Sequence, residues 1–425
     1  MDERRTTGKV SSRLAGPYHG WLVVGAAFLV ALYGFGLGFY GPGIYLVALS
    51  QMHGWSAADI SSAITSYYVL GAVLVFFFIG GLFDRLGARW VVGAGAVAMA
   101  CGVVLLTFVA RLWHLYAAFA VMSLGWATMS GAAINIIIAP WFDQRRGFAI
   151  SLALNGASAG GLIVAPLLTI LIGRLGLGPA LWSTCAPMLA VLLPVVALVL
   201  RPKRADERDG GGAASTVPEP QRSHGTPPAH GTAFSLSAAL RNRSFLTVSI
   251  PFALGLTAQV GFVTHQVAFL SPLIGTLAAG WAVSLTTFAA IVGRLATGLF
   301  VDKVDRRATA CGNFLVQVAA LAILMSARSA PALYLGCALF GLGLGNLVSL
   351  PGLIVQQEFP PAHFARVVSM IVAINQFAFA FGPDLLGRLQ QSAGGYATAL
   401  VACLVMDAAA AVIVLLPLAA TRNKS

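Results

Sequence analysis

Gly80-Gly81-Leu82-Phe83-Asp84-Arg85-Leu86-Gly87-Ala88-Arg89 sets one acid and two arginines between two long apolar runs. The run before it covers residues 59–82, and the run after it covers 91–110. A helix needs about 20 apolar residues to cross a bilayer. Each run meets that length, so the charged stretch reads as a short loop on one membrane face. A weaker echo stands in the second half of the chain, at Gly298-Leu299-Phe300-Val301-Asp302-Lys303. Both stretches carry Gly, then Asp four residues on, then a base.

Working outward from these loops, apolar runs fill most of the 425 residues. Hydrophobic residues make up 58% and charged residues 9%. Soluble domains carry about 25% charged residues, so lipid must solvate much of this surface. Twelve runs are long enough to span: 20–48, 59–82, 91–110, 115–140, 148–173, 180–200, 245–270, 277–300, 308–327, 331–355, 366–388 and 396–419. Residues 201–244 break the series after the sixth run. They are rich in Arg, Pro, Gly and Ser without apolar periodicity, as a solvated linker is. The expected fold is an all-α membrane protein of twelve transmembrane helices in two pseudo-symmetric six-helix bundles. The expected parts are a cytoplasmic tail 1–19, a bundle 20–200, a cytoplasmic linker 201–244, a bundle 245–420 and a tail 421–425.

Orientation follows from the basic residues. With both termini inside, 21 of the 26 Lys and Arg fall in cytoplasmic segments and four fall outside. That is the positive-inside asymmetry. It also explains the net charge of +12 without nucleic acid, since the cations sit in short loops and form no stripe. Seven of the eight tryptophans lie near span ends, as an interfacial belt requires. The five cysteines lie in apolar runs with no C-x-x-C and read as packing residues. No cleavable signal peptide is evident, and the expected location is a bacterial inner membrane.

The 80–89 stretch resembles the signature loop of the major facilitator superfamily, G-x-L-x-D-R-x-G-x-[RK]. The resemblance extends over the chain in architecture and implies a twelve-helix carrier. It implies a gating role for Asp84, Arg85 and Arg89, which cap or pair across the cytoplasmic face, and for the repeat acid Asp302. A second motif runs from Trp141-Phe142 through Arg145-Arg146 to Asn155-Gly156-Ala157-Ser158-Ala159-Gly160. It resembles the entry to span five in monocarboxylate-porter-like carriers, including the bacterial oxalate/formate-antiporter-like group. Arg145 and Arg146 join the gating set on that ground. Two acids of the animal branch are missing: Gly16-Pro17-Tyr18 precedes the first span, and Ala290 stands one turn before the span-eight arginine.

That arginine, Arg294, is the one Lys or Arg within a span. Such a charge marks a functional site by default. It lies eight residues before Asp302, about 12 Å up the helix at 1.5 Å per residue. A guanidinium there can hold a carboxylate by two parallel hydrogen bonds. The resemblance also places a substrate arginine in span eight. His265, late in span seven, is the candidate proton carrier, because an imidazole titrates near neutral pH. Asn135, Asn346 and Tyr33 are candidate substrate contacts. Tyr40, Asn155, Gln259, Asn375 and Gln376 read first as helix–helix hydrogen-bonding residues. Asp384 reads as the i,i+4 partner of Arg388. Asp407, in span twelve, reads as a protonated or hydrogen-bonded structural acid ahead of a transport residue.

The expected function is secondary active transport of a small organic anion, most simply a monocarboxylate, by alternating access with a proton. Anion exchange of the oxalate/formate type and efflux of amphipathic compounds are the alternatives. An intramembrane enzyme would need paired acids, a metal cluster or a nucleophile with its base, and none stands at useful spacing. A sensor would need a further soluble domain, and the linker is too short for one. No cofactor is implied. The expected partners are the anion, a proton where transport is proton-coupled, and membrane lipid, with the chain a monomer.

Overall fold

The computed structural model describes residues 18–142, 145–202, 239, 241–301 and 303–422. Helix α1 covers His19–His53. The next helical stretch, Ala57–Phe108, has 52 residues, which would extend about 78 Å as one rod. A hydrocarbon core is about 30 Å thick, so one crossing cannot use it. The stretch folds back at Gly87, whose φ of 77° and ψ of 159° are open to glycine and costly for other residues. Helix α2 lies before that break and α3 after it. Helices α4 to α9 are Leu112–Ile138, Arg146–Leu175, Leu177–Val199, Arg243–Ile274, Thr276–Phe300 and Arg306–Ser326. Helix α10 comes in two pieces, Ala330–Leu344 and Leu350–Glu358. Helices α11 and α12 are Arg366–Ala393 and Ala397–Leu416. Twelve crossings result once the fold-back and the broken helix are counted as the chain uses them. Large exposed side chains such as Leu198 and Leu299 face outward, where lipid is their solvent.

Close helix contacts rest on glycine. A Cβ on Gly156 would stand 2.1 Å from the Phe28 carbonyl oxygen, and one on Gly160 would stand 2.3 Å from that of Leu32. So α5 meets α1 backbone to backbone. The second bundle repeats the device between α7 and α11, where a Cβ on Gly382 would stand 2.5 Å from the Thr257 carbonyl oxygen and one on Gly261 would stand 2.9 Å from that of Gly382. Small residues at matching helix pairs are the packing expected in lipid, where apolar surface alone gives helices no reason to associate.

The inner ends of the second bundle are tied by Arg307, which is 3% exposed. Its guanidinium pairs with Glu358 at the end of α10 and donates to the carbonyls of Val414 (2.8 Å) and Thr247 (3.3 Å). The Thr247 carbonyl has no partner of its own within α7, because Pro251 lacks the N–H that would reach it.

Between the bundles, the outer halves are sealed. Asp384 accepts from the Ser62 hydroxyl, its backbone N–H donates to Thr65 Oγ1 at 3.1 Å, and Arg388 Nε donates to Oδ2 at 2.7 Å. Gly43 sits on the Thr264 carbonyl and Gly387 on Ser61. Ser284 Oγ donates to the Leu162 carbonyl at 3.2 Å. The inner halves of α2, α4 and α10 pack within their own bundles. Among the described residues, side-chain hydrogen bonds between the bundles lie at the depth of Arg294 or outside it. The seam is closed on the outer side and parted on the side that carries the basic loops.

Candidate functional site

Three helices meet at Arg294. Its Nη1 donates to Asn155 Oδ1 on α5 at 3.3 Å, across the seam, and its Nε donates to the Gly345 carbonyl of α10 at 3.4 Å. Both distances are at the weak end for N–H···O bonds. The Tyr40 ring of α1 is its electrostatic neighbour. That ring lies against Gly161 of α5, beside the Thr287 methyl of α8. Two π turns, Gly36–Tyr40 and Gly160–Val164, bring these residues into place. Such single-turn distortions free backbone groups and re-aim side chains, and they recur at functional sites.

Among the described residues no acid pairs with Arg294. The ion pairs among the described residues are Arg307–Glu358 and Arg388–Asp384, and neither reaches it. Five N–H donors thus share two long hydrogen bonds. A structural arginine at this depth would be expected to sit on a carboxylate.

The other candidate contacts divide. Tyr33 is half-buried and lies on α1 before the π turn at Gly36–Tyr40, seven residues ahead of Tyr40. Tyr33 is the inner of the pair. Asn155 and Tyr40, read from sequence as packing residues, are the ones at the cation. Asn135 donates to the Gly131 carbonyl of its own helix at 2.7 Å. Asn346 is 4% exposed and donates to Asn313 Oδ1 at 3.0 Å, inside the second bundle. Neither asparagine is brought to Arg294 by a hydrogen bond.

His265 lies far from the cation, on the outer seam. Its Nε2 is 3.0 Å from the Pro383 carbonyl and 3.1 Å from Ser61 Oγ of the opposite bundle, and its Nδ1 is 3.0 Å from the Tyr396 hydroxyl. A carbonyl only accepts, so Nε2 carries the hydrogen and Nδ1 receives from Tyr396. No sequence signal marked Ser61, Pro383 or Tyr396 as its partners.

The proposed gating residues are surface groups here. Asp84, Arg85, Arg145 and Arg146 are exposed, and Arg89 is exposed with its guanidinium 5.6 Å from the Trp90 ring centroid. Asp84, Arg85 and Arg89 form no ion pair among the described residues. Asp302 lies outside the described residues. A separate cavity of about 570 Å³ sits between the outer ends of α1, α5, α7 and α8, lined by Val47, Thr169, Arg174 and Trp281 among others. It does not include Arg294.

The pattern of the Major Facilitator Superfamily matches residues 26–383 and again 274–425, which together take in nearly all of the chain. The chain belongs to the major facilitator superfamily. This facilitator is 26% identical over 407 residues to monocarboxylate transporter 13 of Rattus norvegicus, covering 94% of the chain and 89% of that relative. It is 24% identical over 352 residues to an MFS-type transporter of Gibberella moniliformis, covering 79% and 78%. Its fold is that of the solved nucleoside transporter NupG, with a TM-score of 0.69 at 16% identity over 94% and 98% of the two chains. The facilitator is therefore an integral membrane protein of a transporter family. Its named relatives are fungal and mammalian, and they lend no support to the expected bacterial inner membrane.

The long Asn155 contact has a measurable consequence for this facilitator. Asn155→Ala is expected to raise KM for the transported substrate about 3–10-fold with little change in maximal rate, the loss of one modest hydrogen bond that orients the guanidinium. Initial-rate uptake in proteoliposomes checks it. An unchanged KM would remove Asn155 from the site.

Proposed function

We propose that the protein is a secondary carrier for a small organic carboxylate, with Arg294 as the cation that receives it. The observation that carries this reading is a charged, largely underused guanidinium on the seam between the bundles, with no acidic side chain to neutralise it. A bound carboxylate would supply the missing charge and accept two of the idle N–H groups. Tyr40 and Asn155 would flank it, and Tyr33 would line the way in from the cytoplasm. The relative named as a monocarboxylate transporter supports the substrate class. The basic loops support an orientation with both termini in the cytoplasm. The chain would work as a monomer, because the site lies wholly between its own two bundles.

Transport would proceed by alternating access, the bundles rocking about a site near the midplane. The outer seam of Ser61, Ser62, Thr65, His265, Asp384 and Tyr396 would hold the outer side shut. The cytoplasmic residues Asp84, Arg85, Arg89, Arg145, Arg146 and Asp302 would meet only in the opposite state. His265 serves better as a pin in this seam than as a proton carrier, since both ring nitrogens are already engaged. His265→Ala is then expected to raise maleimide labelling of a Ser62→Cys reporter about tenfold, by shifting the population toward outer opening. Equal labelling rates with and without the histidine would refute the pin.

Anion exchange is the second reading. It is favoured by the absence of an acid beside Arg294 among the described residues, because exchange of like charges needs no proton site. The carboxylate assignment is tested by binding of labelled pyruvate to the purified protein. The expected result is saturable binding displaced by other small carboxylates and not by their uncharged amides. Displacement by the amides as well would sink the role given to charge.

A further inference from the structure

The two bundles differ in what they leave unmatched. Among buried side-chain atoms without a protein hydrogen-bond partner, the first bundle has two, His53 Nδ1 and Trp126 Nε1, and both are nitrogens. The second bundle has eight, and all are oxygens. Four of them stand on Gln317, Asn346 and Asp407, the last contributing both carboxyl oxygens. Two of the eight are hydroxyls, Ser249 and Thr264, which can donate. Buried polar groups are nearly always paired, so among the described residues it is the amide and carboxyl oxygens of the second bundle that lack a donor.

Asp407 is the extreme case. It is fully buried, at 0% exposure, in the middle of α12. The face it meets on α7 is Gly255, where a Cβ would stand 3.4 Å from Asp407 Oδ1 and 2.5 Å from the Phe314 ring of α9. The bare glycine leaves room for the carboxyl beside that ring. The one titratable neighbour is Cys403, a turn away on α12, with its Sγ 3.6 Å from the Ala258 carbonyl. On α9, Arg307 is committed to Glu358 and to carbonyls nearer the cytoplasm. On α11, Asp384 and Arg388 are committed to the outer seam and to each other. Among the described residues no cation stabilises a carboxylate here in this form, and a lone buried charge is far costlier than a neutral acid.

The Phe314 ring and then a line of amides lie between this acid and the cation. Phe314 adjoins Asn313, whose amide donates to the Gly343 carbonyl at 3.2 Å and whose oxygen receives from Asn346 at 3.0 Å. Asn346 adjoins Gly345, whose carbonyl receives from Arg294. We propose that Asp407 is the proton-carrying group of the second bundle, coupled to carboxylate occupancy of Arg294 through α9 and α10. In this cytoplasm-open form the proton sits on the carboxyl. In the cycle the O–H bond breaks, the proton passes to water, and the carboxylate is reprotonated from water before the next turn. The inference rests on the carboxylate-carrier reading and assigns to Asp407 the coupling role that sequence had placed on His265.

The test compares wild type, Asp407→Asn and Asp407→Glu in proteoliposomes, using labelled pyruvate. Two assays are run: accumulation driven by an inward proton gradient, and counterflow with pyruvate on both sides. The Asn variant keeps the neutral form's shape and cannot release a proton. Its gradient-driven accumulation is expected to fall at least about tenfold, with counterflow within about twofold of wild type. The Glu variant is expected to keep accumulation with a shifted pH dependence, a readout that a packing role would not move. Overturning results are wild-type accumulation in the Asn variant, equal loss of both assays in the Asn and Glu variants, or accumulation that follows a sodium gradient instead. Wild-type accumulation indifferent to the proton gradient, with counterflow intact, would overturn the inference and leave the carrier reading standing. Absence of both activities in folded wild type would remove the carrier reading itself.

Discussion

Arg294→Gln is expected to abolish carboxylate uptake, lowering its rate at least about 100-fold, while the protein folds and purifies as well as wild type. Removing one member of a desolvated charge pair costs about 3–5 kcal/mol, and here the second member is the substrate. The variant loses the charge and most of the fork that a carboxylate would bind. Stability should hold or rise, because the resting protein carries an unneutralised cation between its bundles and Gln relieves it. That pairing of lost transport with kept stability separates a binding arginine from a structural one. Arg294→Lys keeps charge without the planar fork, so it should restore part of the uptake with a raised KM. Loss of folding in the Gln variant would instead make Arg294 a packing residue.

The second large effect is expected at the inner end of the second bundle, where no substrate is involved. Arg307→Met should destabilise the purified protein by about 3–5 kcal/mol, since it leaves Glu358 without its partner in a partly closed site. It also strips donors from the Val414 and Thr247 carbonyls, the latter already orphaned by Pro251. Helices α7, α9, α10 and α12 lose their common tie at once. Thermal unfolding in detergent, followed by loss of the monodisperse peak, measures this. Adding Glu358→Gln to Arg307→Met should recover much of the loss, because the stranded charge is gone. Two single variants as stable as wild type would mean that the pair carries no net stabilisation.

Sequence exposed the fold because lipid enforces it. A spanning helix must satisfy its backbone internally and present a long apolar run, so the runs could be read one by one, and the basic loops gave them a direction. Arg294 was legible for the same reason, since a charge within such a run stands out. Contacts across the seam were not. His265 meets Ser61, which is 204 positions away, and no local spacing encodes such a pair. Asp384 did pair with Arg388 as its i,i+4 spacing implied, yet it also holds Ser62 and Thr65 of the other bundle. Read from sequence, Asn346 ranks ahead of Asn155 as a substrate contact, and nothing local to either tells which way its helix turns. Helix rotation, set partly by the π turn at Gly160–Val164, sends one to the cation and the other into a bundle.

Uptake by reconstituted wild-type protein tests the central claim most directly. Labelled lactate, pyruvate, formate and oxalate are offered to proteoliposomes, each beside its nearest uncharged analogue, with and without an inward proton gradient and with and without a trans anion. Saturable uptake of at least one carboxylate, and of none of the uncharged analogues, is the predicted result. Folded protein that moves no carboxylate under any of these conditions would contradict it.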